Sequence, residues 1–149
     1  MHMTDSAPKT AMMLAAGLGK RMRPLTNNTP KPLITIGGRA LIDYAIDHSE
    51  NVGVKKIVIN IHHLGNQIVR HLSNRKDLNI IFSDETKELL ETGGGIVKAL
   101  SHLGNSPFFV INGDVLWVDG PKASLHRLAQ FWNDETMDGL LLLHSTVES

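Results

Sequence analysis

The sequence predicts an α/β fold in three layers, a mostly parallel sheet with helices packed on both faces. Three observations lead there. Short apolar runs alternate with amphipathic helical patterns in the order βαβαβαβαβ along the chain. Two of the runs, KKIVINI and FFVIN, are apolar at successive positions, as strands covered on both faces must be. A glycine turn, Gly17-Leu18-Gly19, directly follows the first apolar run, at the carboxyl end of a strand, where open α/β sheets bind ligands.

Taken in order, the first strand is expected near 11–16, an unbroken apolar run ended by Gly17. A helix follows near 39–52, with Leu41, Ile42, Ala45 and Ile46 on one face. The second strand is expected near 55–61, and a helix near 65–74 gathers Ile68, Val69 and Leu72 on one side. A third strand near 78–82, a helix near 94–103, a fourth strand near 107–112 and a helix near 122–133 continue the alternation. The leucine run GLLLLHS marks a fifth strand over 138–144. No repeat or linker interrupts the pattern, so residues 10–149 read as one domain behind a flexible arm, 1–9.

Composition excludes more than it identifies. At 42% hydrophobic and 20% charged residues the usage is that of a globular domain with one core. Fifteen basic and fifteen acidic residues balance, so neither nucleic acid nor a membrane surface is expected as a partner. The absence of cysteine removes disulfide and thiolate chemistry. No apolar run reaches the ~20 residues that span a bilayer, and the amino terminus lacks a hydrophobic signal core, so a cytoplasmic location is expected.

The chemistry concentrates in LAAGLGKRMRPLT at 14–26 and PKPL at 30–33. Gly17 and Gly19 let the backbone turn tightly and bring N–H groups to an anion, while Lys20, Arg21, Arg23 and Lys31 supply charge against a polyphosphate. Neither common phosphate loop fits by spacing. A dinucleotide fingerprint needs glycine where Met22 stands, and a P-loop needs a Gly-Lys-Ser/Thr ending. On its own the glycine pair is equally an ordinary strand-to-helix turn. Pro24, Pro30 and Pro32 keep a helix from following directly, so Lys31 is expected on extended backbone.

Two further groups fall at element ends. Asn112, Gly113 and Asp114 close the fourth strand, and a carboxylate there suits Mg2+ beside nucleotide phosphate, although Asn-Gly and Gly-Asp are also plain turn dipeptides. Glu91, Thr92 and Gly93 to Gly95 precede a helix carrying Ile96, Val97 and Leu100. Bare backbone there admits a flat ligand, and the helix start favours negative charge; the plainer alternative is a flexible loop with Thr92 as a cap. His62 and His63 read as surface or loop residues, Trp117, Phe131 and Trp132 as packing residues, and Asp84, Glu85 and Glu88 as a solvated acidic run. Arg39, Lys55 and Lys56 read as solvated charges at element ends.

The motifs Leu-Ala-Ala-Gly-x-Gly-x-Arg, Pro-Leu-Thr and Pro-Lys-Pro-Leu, with ETGGGIVKAL at 91–100 and VINGDV at 110–115, resemble those of the sugar-1-phosphate nucleotidyltransferases from about Thr10 onward. The resemblance implies a Rossmann-like nucleotidyltransferase sheet that binds a nucleoside triphosphate and a sugar 1-phosphate. Within the family the pattern is most similar to uridylyl transfer from UTP to N-acetylmuramate 1-phosphate, a step of peptidoglycan recycling. Guanylyl transfer to mannose 1-phosphate and a non-catalytic nucleotide-binding module stand as alternatives. By residue, the resemblance implies Leu14, Ala15, Ala16, Gly17, Gly19, Gly93 and Gly94 at the nucleotide and Asn112 at the sugar substrate. It further implies Arg21 and Lys31 as catalytic cations and Asp114 as the ligand of a catalytic Mg2+. Family members continue well beyond the point that Ser149 matches. The carboxyl-terminal part of the sheet, a second metal-binding aspartate and most of the sugar pocket are therefore expected to be missing, leaving poor turnover and an uncovered edge that favours self-association.

Overall fold

The computed structural model describes residues 7–144. Its centre is a four-stranded sheet of β1 (Thr10–Leu14), β4 (Lys56–Ile61), β5 (Asn79–Asp84) and β6 (Phe109–Asn112), in the order β5-β4-β1-β6, with every pairing parallel. The connections carry α1 (Leu41–Asn51), α2 (Gly65–Leu72) and α3 (Glu91–Leu103), and α4 (Ser124–Phe131) follows β6. Parallel neighbours need such crossovers, because a tight turn cannot reverse the chain twice.

Alternation along β1 sorts the core into the two outer layers. Ala11 and Met13 face α1, α2 and α4 through Ile42, Ala45, Ile46, Ile68, Leu72 and Leu125. Met12 faces the other way, onto Val58 and the α3 residues Ala99 and Leu103. The three layers are thus α1, α2 and α4, the sheet, and α3. Met12, Met13 and Ile59 are fully buried, and each such side chain stabilises the fold by about 1.5–3 kcal/mol relative to exposure.

The parallel α/β architecture matches the sequence reading, and the differences have physical causes. The fifth strand at 138–144 does not form: the described part, through His144, is irregular, and Leu141 and Leu143 are 79% and 81% exposed. A run of leucines has no period of two and gains nothing as a strand without a ladder partner. β6 is covered on one face only. Phe109 and Ile111 are buried, whereas Val110 is 47% exposed, because α3 packs over β1, β4 and β5. A short hairpin, β2 (Thr35–Ile36) with β3 (Arg39–Ala40), was not anticipated; Gly37 and Gly38 both take positive φ at its turn, as a tight two-residue hairpin turn requires. At the amino end the Lys9 carbonyl accepts the Lys55 and Lys56 N–H groups at 2.8 and 3.1 Å, so the chain is held there from Lys9 onward. Residues 1–6 of the expected arm lie outside the described residues.

Candidate functional site

The sheet brings the two sequence motifs together at its carboxyl edge. Leu14 and Asn112 are paired in the β1–β6 register, and the Gly113 N–H donates to the Leu14 carbonyl at 2.9 Å. A Cβ on Gly113 would lie 3.2 Å from Met13 Cγ and 3.3 Å from that carbonyl oxygen, so a glycine allows the chain to turn here and deliver Asp114 beside the first loop.

The loop returns to meet it. Gly19 takes φ +60°, with the Thr26 hydroxyl donating to its carbonyl at 2.8 Å, and a Cβ there would stand 2.8 Å from Thr26 Cγ2. A 3-10 turn at Lys20–Met22 follows, then a second at Lys31–Leu33. Lys31 therefore heads a short helical turn, correcting the expectation of extended backbone: the fixed φ of Pro32 suits the start of a helix as well as it suits extended chain. From this position Lys31 Nζ reaches Asp114 Oδ2 at 2.6 Å, across 83 residues of sequence. Both side chains are about 30% exposed, so solvent screens the pair to under about 1 kcal/mol and a phosphate or a cation can compete for either partner.

Around this pair the remaining cations are open. Lys20, Arg21 and Arg23 are exposed and make no ion pair among the described residues. Gly17 is exposed, and a Cβ on it or on Gly93 would meet nothing within 4 Å, so a ligand can lie against either backbone. Ala15 and Ala16 are buried behind them, Leu14 is half-buried, and Asn112 is exposed at the strand end. α3 starts at Glu91, so the glycines lie in its first turn instead of ahead of the helix. The residue before it is Leu90, with no side-chain cap, so Thr92 is not the cap. The unpaired N–H groups of that turn carry the partial positive charge that attracts anions. The third glycine differs: a Cβ on Gly95 would lie 2.7 Å from Glu85 Oε1 and 2.9 Å from Asn60 Nδ2.

Glu85 overturns the reading of Asp84, Glu85 and Glu88 as a solvated run, being only 1% exposed beneath Gly95. Asp84 and Glu88 are exposed as expected. Thr86 donates its N–H to Asp84 at 2.7 Å and holds that carboxyl below its ordinary pKa. The missed partner is Asn60, and its signal was present: a lone polar residue inside the apolar strand KIVINI has to be hydrogen-bonded. Beyond Asp114, Trp117 stacks on His48 of α1 at 4.2 Å between ring centroids, while Asp119 meets His48 Nδ1 at 3.1 Å and accepts the Ser124 N–H at 2.9 Å. Burial pushes Asp119 up, but the Ser124 hydrogen bonds and His48 outweigh it and hold the carboxyl below its ordinary value. Phe131, expected to pack, is 68% exposed at the end of α4. His62 and His63 are half-buried after β4, with no hydrogen-bond partner for His62 Nδ1 among the described residues. Lys56 is half-buried, donating to the His102 carbonyl at 2.6 Å, and so is not simply solvated; Lys55 and Arg39 are exposed as expected, Arg39 in a surface pair with Asp47 at 2.6 Å.

Among the described residues no three His, Cys, Asp or Glu side chains gather to hold a metal, and no helix is long and apolar enough to cross a membrane. A separate groove of about 880 Å3 runs along the β6 edge past Val110, Val115 and Leu140 to Leu142; it contains Asn112 but none of the loop cations.

Comparison with known proteins shows the family and agrees with the fold. Residues 10–144 match the family described as nucleotidyl transferase. The chain is 46% identical over 97% of its length to N-acetylmuramate alpha-1-phosphate uridylyltransferase of Caulobacter vibrioides, of which it spans 62%. It is 49% identical over 71% of its length to the enzyme of that name in Neisseria meningitidis, spanning 47% of it. A UDP-glucose pyrophosphorylase complexed with UDP-glucose shares the fold at a TM-score of 0.69 and 22% identity, over 85% of this chain and 54% of that one.

Proposed function

The chain belongs to the nucleotidyl transferase family, and from that premise we propose that its protein transfers a uridylyl group from UTP to N-acetylmuramate 1-phosphate and releases pyrophosphate. The observation that carries the reading is the meeting of Lys31 and Asp114 at 2.6 Å, beside glycine backbone that is open to solvent at Gly17 and Gly93. The proposal includes a cytoplasmic reaction, since a nucleoside triphosphate substrate is a cytoplasmic metabolite.

Both substrates are anionic, so the first task is to offset their repulsion and align them. In this reading an oxygen of the sugar 1-phosphate attacks the α-phosphorus in line. The new P–O bond forms as the bond to the bridging oxygen breaks, and pyrophosphate leaves with that electron pair. Arg21 holds the β and γ phosphates and stabilises the leaving group, a role suited to an exposed guanidinium with no ion-pair partner among the described residues. Lys31 lies between the phosphates of the two substrates. Ala15 to Gly17, with Gly19, line one side of the nucleotide and Gly93 with Gly94 the other, while Asn112 faces the sugar. No general base is required, because the attacking phosphate is already ionised.

The donor set at Asp114 fits Mg2+. A hard, part-exposed carboxylate supplies an oxygen ligand, and Mg2+ is commonly held by one or two carboxylates with water and substrate phosphates completing its shell. Such an ion would supply Lewis-acid withdrawal of charge from the α-phosphate.

Pyrophosphate release, screened over four nucleoside triphosphates and several sugar 1-phosphates with the protein at its full length, tests the reading. UTP with N-acetylmuramate 1-phosphate should give the highest kcat/KM. Preference for GTP with mannose 1-phosphate would replace the substrate assignment, and nucleotide binding without turnover on any pair would replace the enzyme reading with a binding module.

A further inference from the structure

The two backbone segments placed on either side of the nucleotide are joined beneath the surface by one chain of hydrogen bonds. Ala15 N–H donates to Asn60 Oδ1 at 2.7 Å, Asn60 Nδ2 donates to Glu85 Oε1 at 2.9 Å, and Leu90 N–H donates to Glu85 Oε2 at 3.2 Å. Asn60 and Glu85 are 3% and 1% exposed. Asn60 stands on β4 opposite Leu14 of β1 and Ser83 of β5, so the chain crosses three adjacent strands at their carboxyl ends and finishes at the residue before α3. Its direction is fixed, since the amide oxygen faces a donor and the amide nitrogen faces an acceptor. Gly95 completes the arrangement, because a side chain there would occupy the place of the Glu85 carboxylate.

A buried polar pair adds little net stability over a well-packed apolar pair, but it permits only one relative placement of the groups it joins. We propose that Asn60 and Glu85 are positioning residues that set the gap between Ala15–Gly17 and Gly93–Gly94, and thereby the fit of the nucleotide base. The inference rests on the nucleotide-binding reading above. It predicts that disturbing the pair weakens recognition of the base and leaves the phosphate loop of Gly19, Arg21 and Lys31 as it was.

The test compares UTP with inorganic tripolyphosphate, which offers the phosphates without the base, by calorimetry on the whole protein. E85Q leaves the Leu90 N–H facing an amide NH2 group, and N60D sets two carboxylates against each other. Each should weaken UTP about tenfold, the scale of one lost buried hydrogen bond to a charged group, with tripolyphosphate unchanged. N60D/E85Q restores all three bonds: the new carboxylate at 60 accepts from Ala15 and from the new amide at 85, whose oxygen accepts from Leu90. UTP affinity should return in it. Should the single variants not fold, G95A presses a methyl group onto the Glu85 carboxylate and should show the same selective loss. Parallel weakening of both ligands, unchanged UTP affinity in the variants, or a double variant no better than the singles would overturn the inference. Wild-type protein that binds neither ligand would overturn the nucleotide reading and this inference with it.

Discussion

Lys31 differs from the other cations of its loop in being held. Pro30 and Pro32 fix the backbone on either side and Asp114 orients the ammonium group, whereas Lys20 is exposed on a three-residue turn. Lys31→Ala should therefore lower turnover about a hundredfold, the scale for one fixed donor at developing charge, while Lys20→Ala should change it severalfold at most. Lys31→Arg should rescue only part of the loss, because a planar fork replaces a compact charge. Steady-state rates at saturating substrates decide it, and equal rates for wild type and Lys31→Ala would remove Lys31 from the mechanism. At this scale the tight turn at Gly19 and the strand end before Asp114 were legible, since glycine carries a local meaning, whereas the helical turn at Lys31 was not, since proline suits extended and helical chain alike. Nor was Glu85. Nothing within its acidic neighbourhood shows that one carboxylate of three turns inward, because the cause lies on another strand, at Asn60, and on a third element, at Gly95.

At the scale of elements, α1 and α2 were legible because their apolar faces repeat at helical spacing, and β1 and β4 because their runs are buried on both sides. The leucine run at 140–143 looked like a strand for want of any signal about its partner, and the β2–β3 hairpin was hidden by the helix expected from residue 39. The segment between Asp114 and α4 carried no pattern, yet it is fastened to α1 through His48 and to the start of α4 through Ser124. Asp119 makes both attachments. Since its folded pKa lies below the ordinary 3.8, its stabilising effect is present above that value and lost as the pH falls through the folded one. Asp119→Asn should accordingly lower the Tm by about 2–4 °C at pH 7, with the difference closing below pH 3.8. Thermal melts across pH measure this, and a difference that did not shrink as the pH fell below 3.8 would mean that the charge is not what holds the segment.

The whole molecule presents two surfaces of opposite character. One is the carboxyl edge of the sheet, where Lys31 meets Asp114 across 83 residues and the backbone at Gly17 and Gly93 is open to solvent. The other is the apolar groove along β6, with exposed Val110 and Leu141. Motif spacing in the sequence pointed to the first, and the parallel strand order explains why it had to form there: every strand of the sheet ends on that side. The groove was not legible, because it depends on which strand lies at the edge. These surfaces make the central claim, that the strand-end edge holds a nucleoside triphosphate, directly measurable by following backbone amide resonances as UTP is added. The account predicts that the largest shifts fall at Gly17, Gly19, Lys31, Gly93 and Asp114, and shifts confined to Val110, Val115 and Leu140 to Leu142 would contradict it.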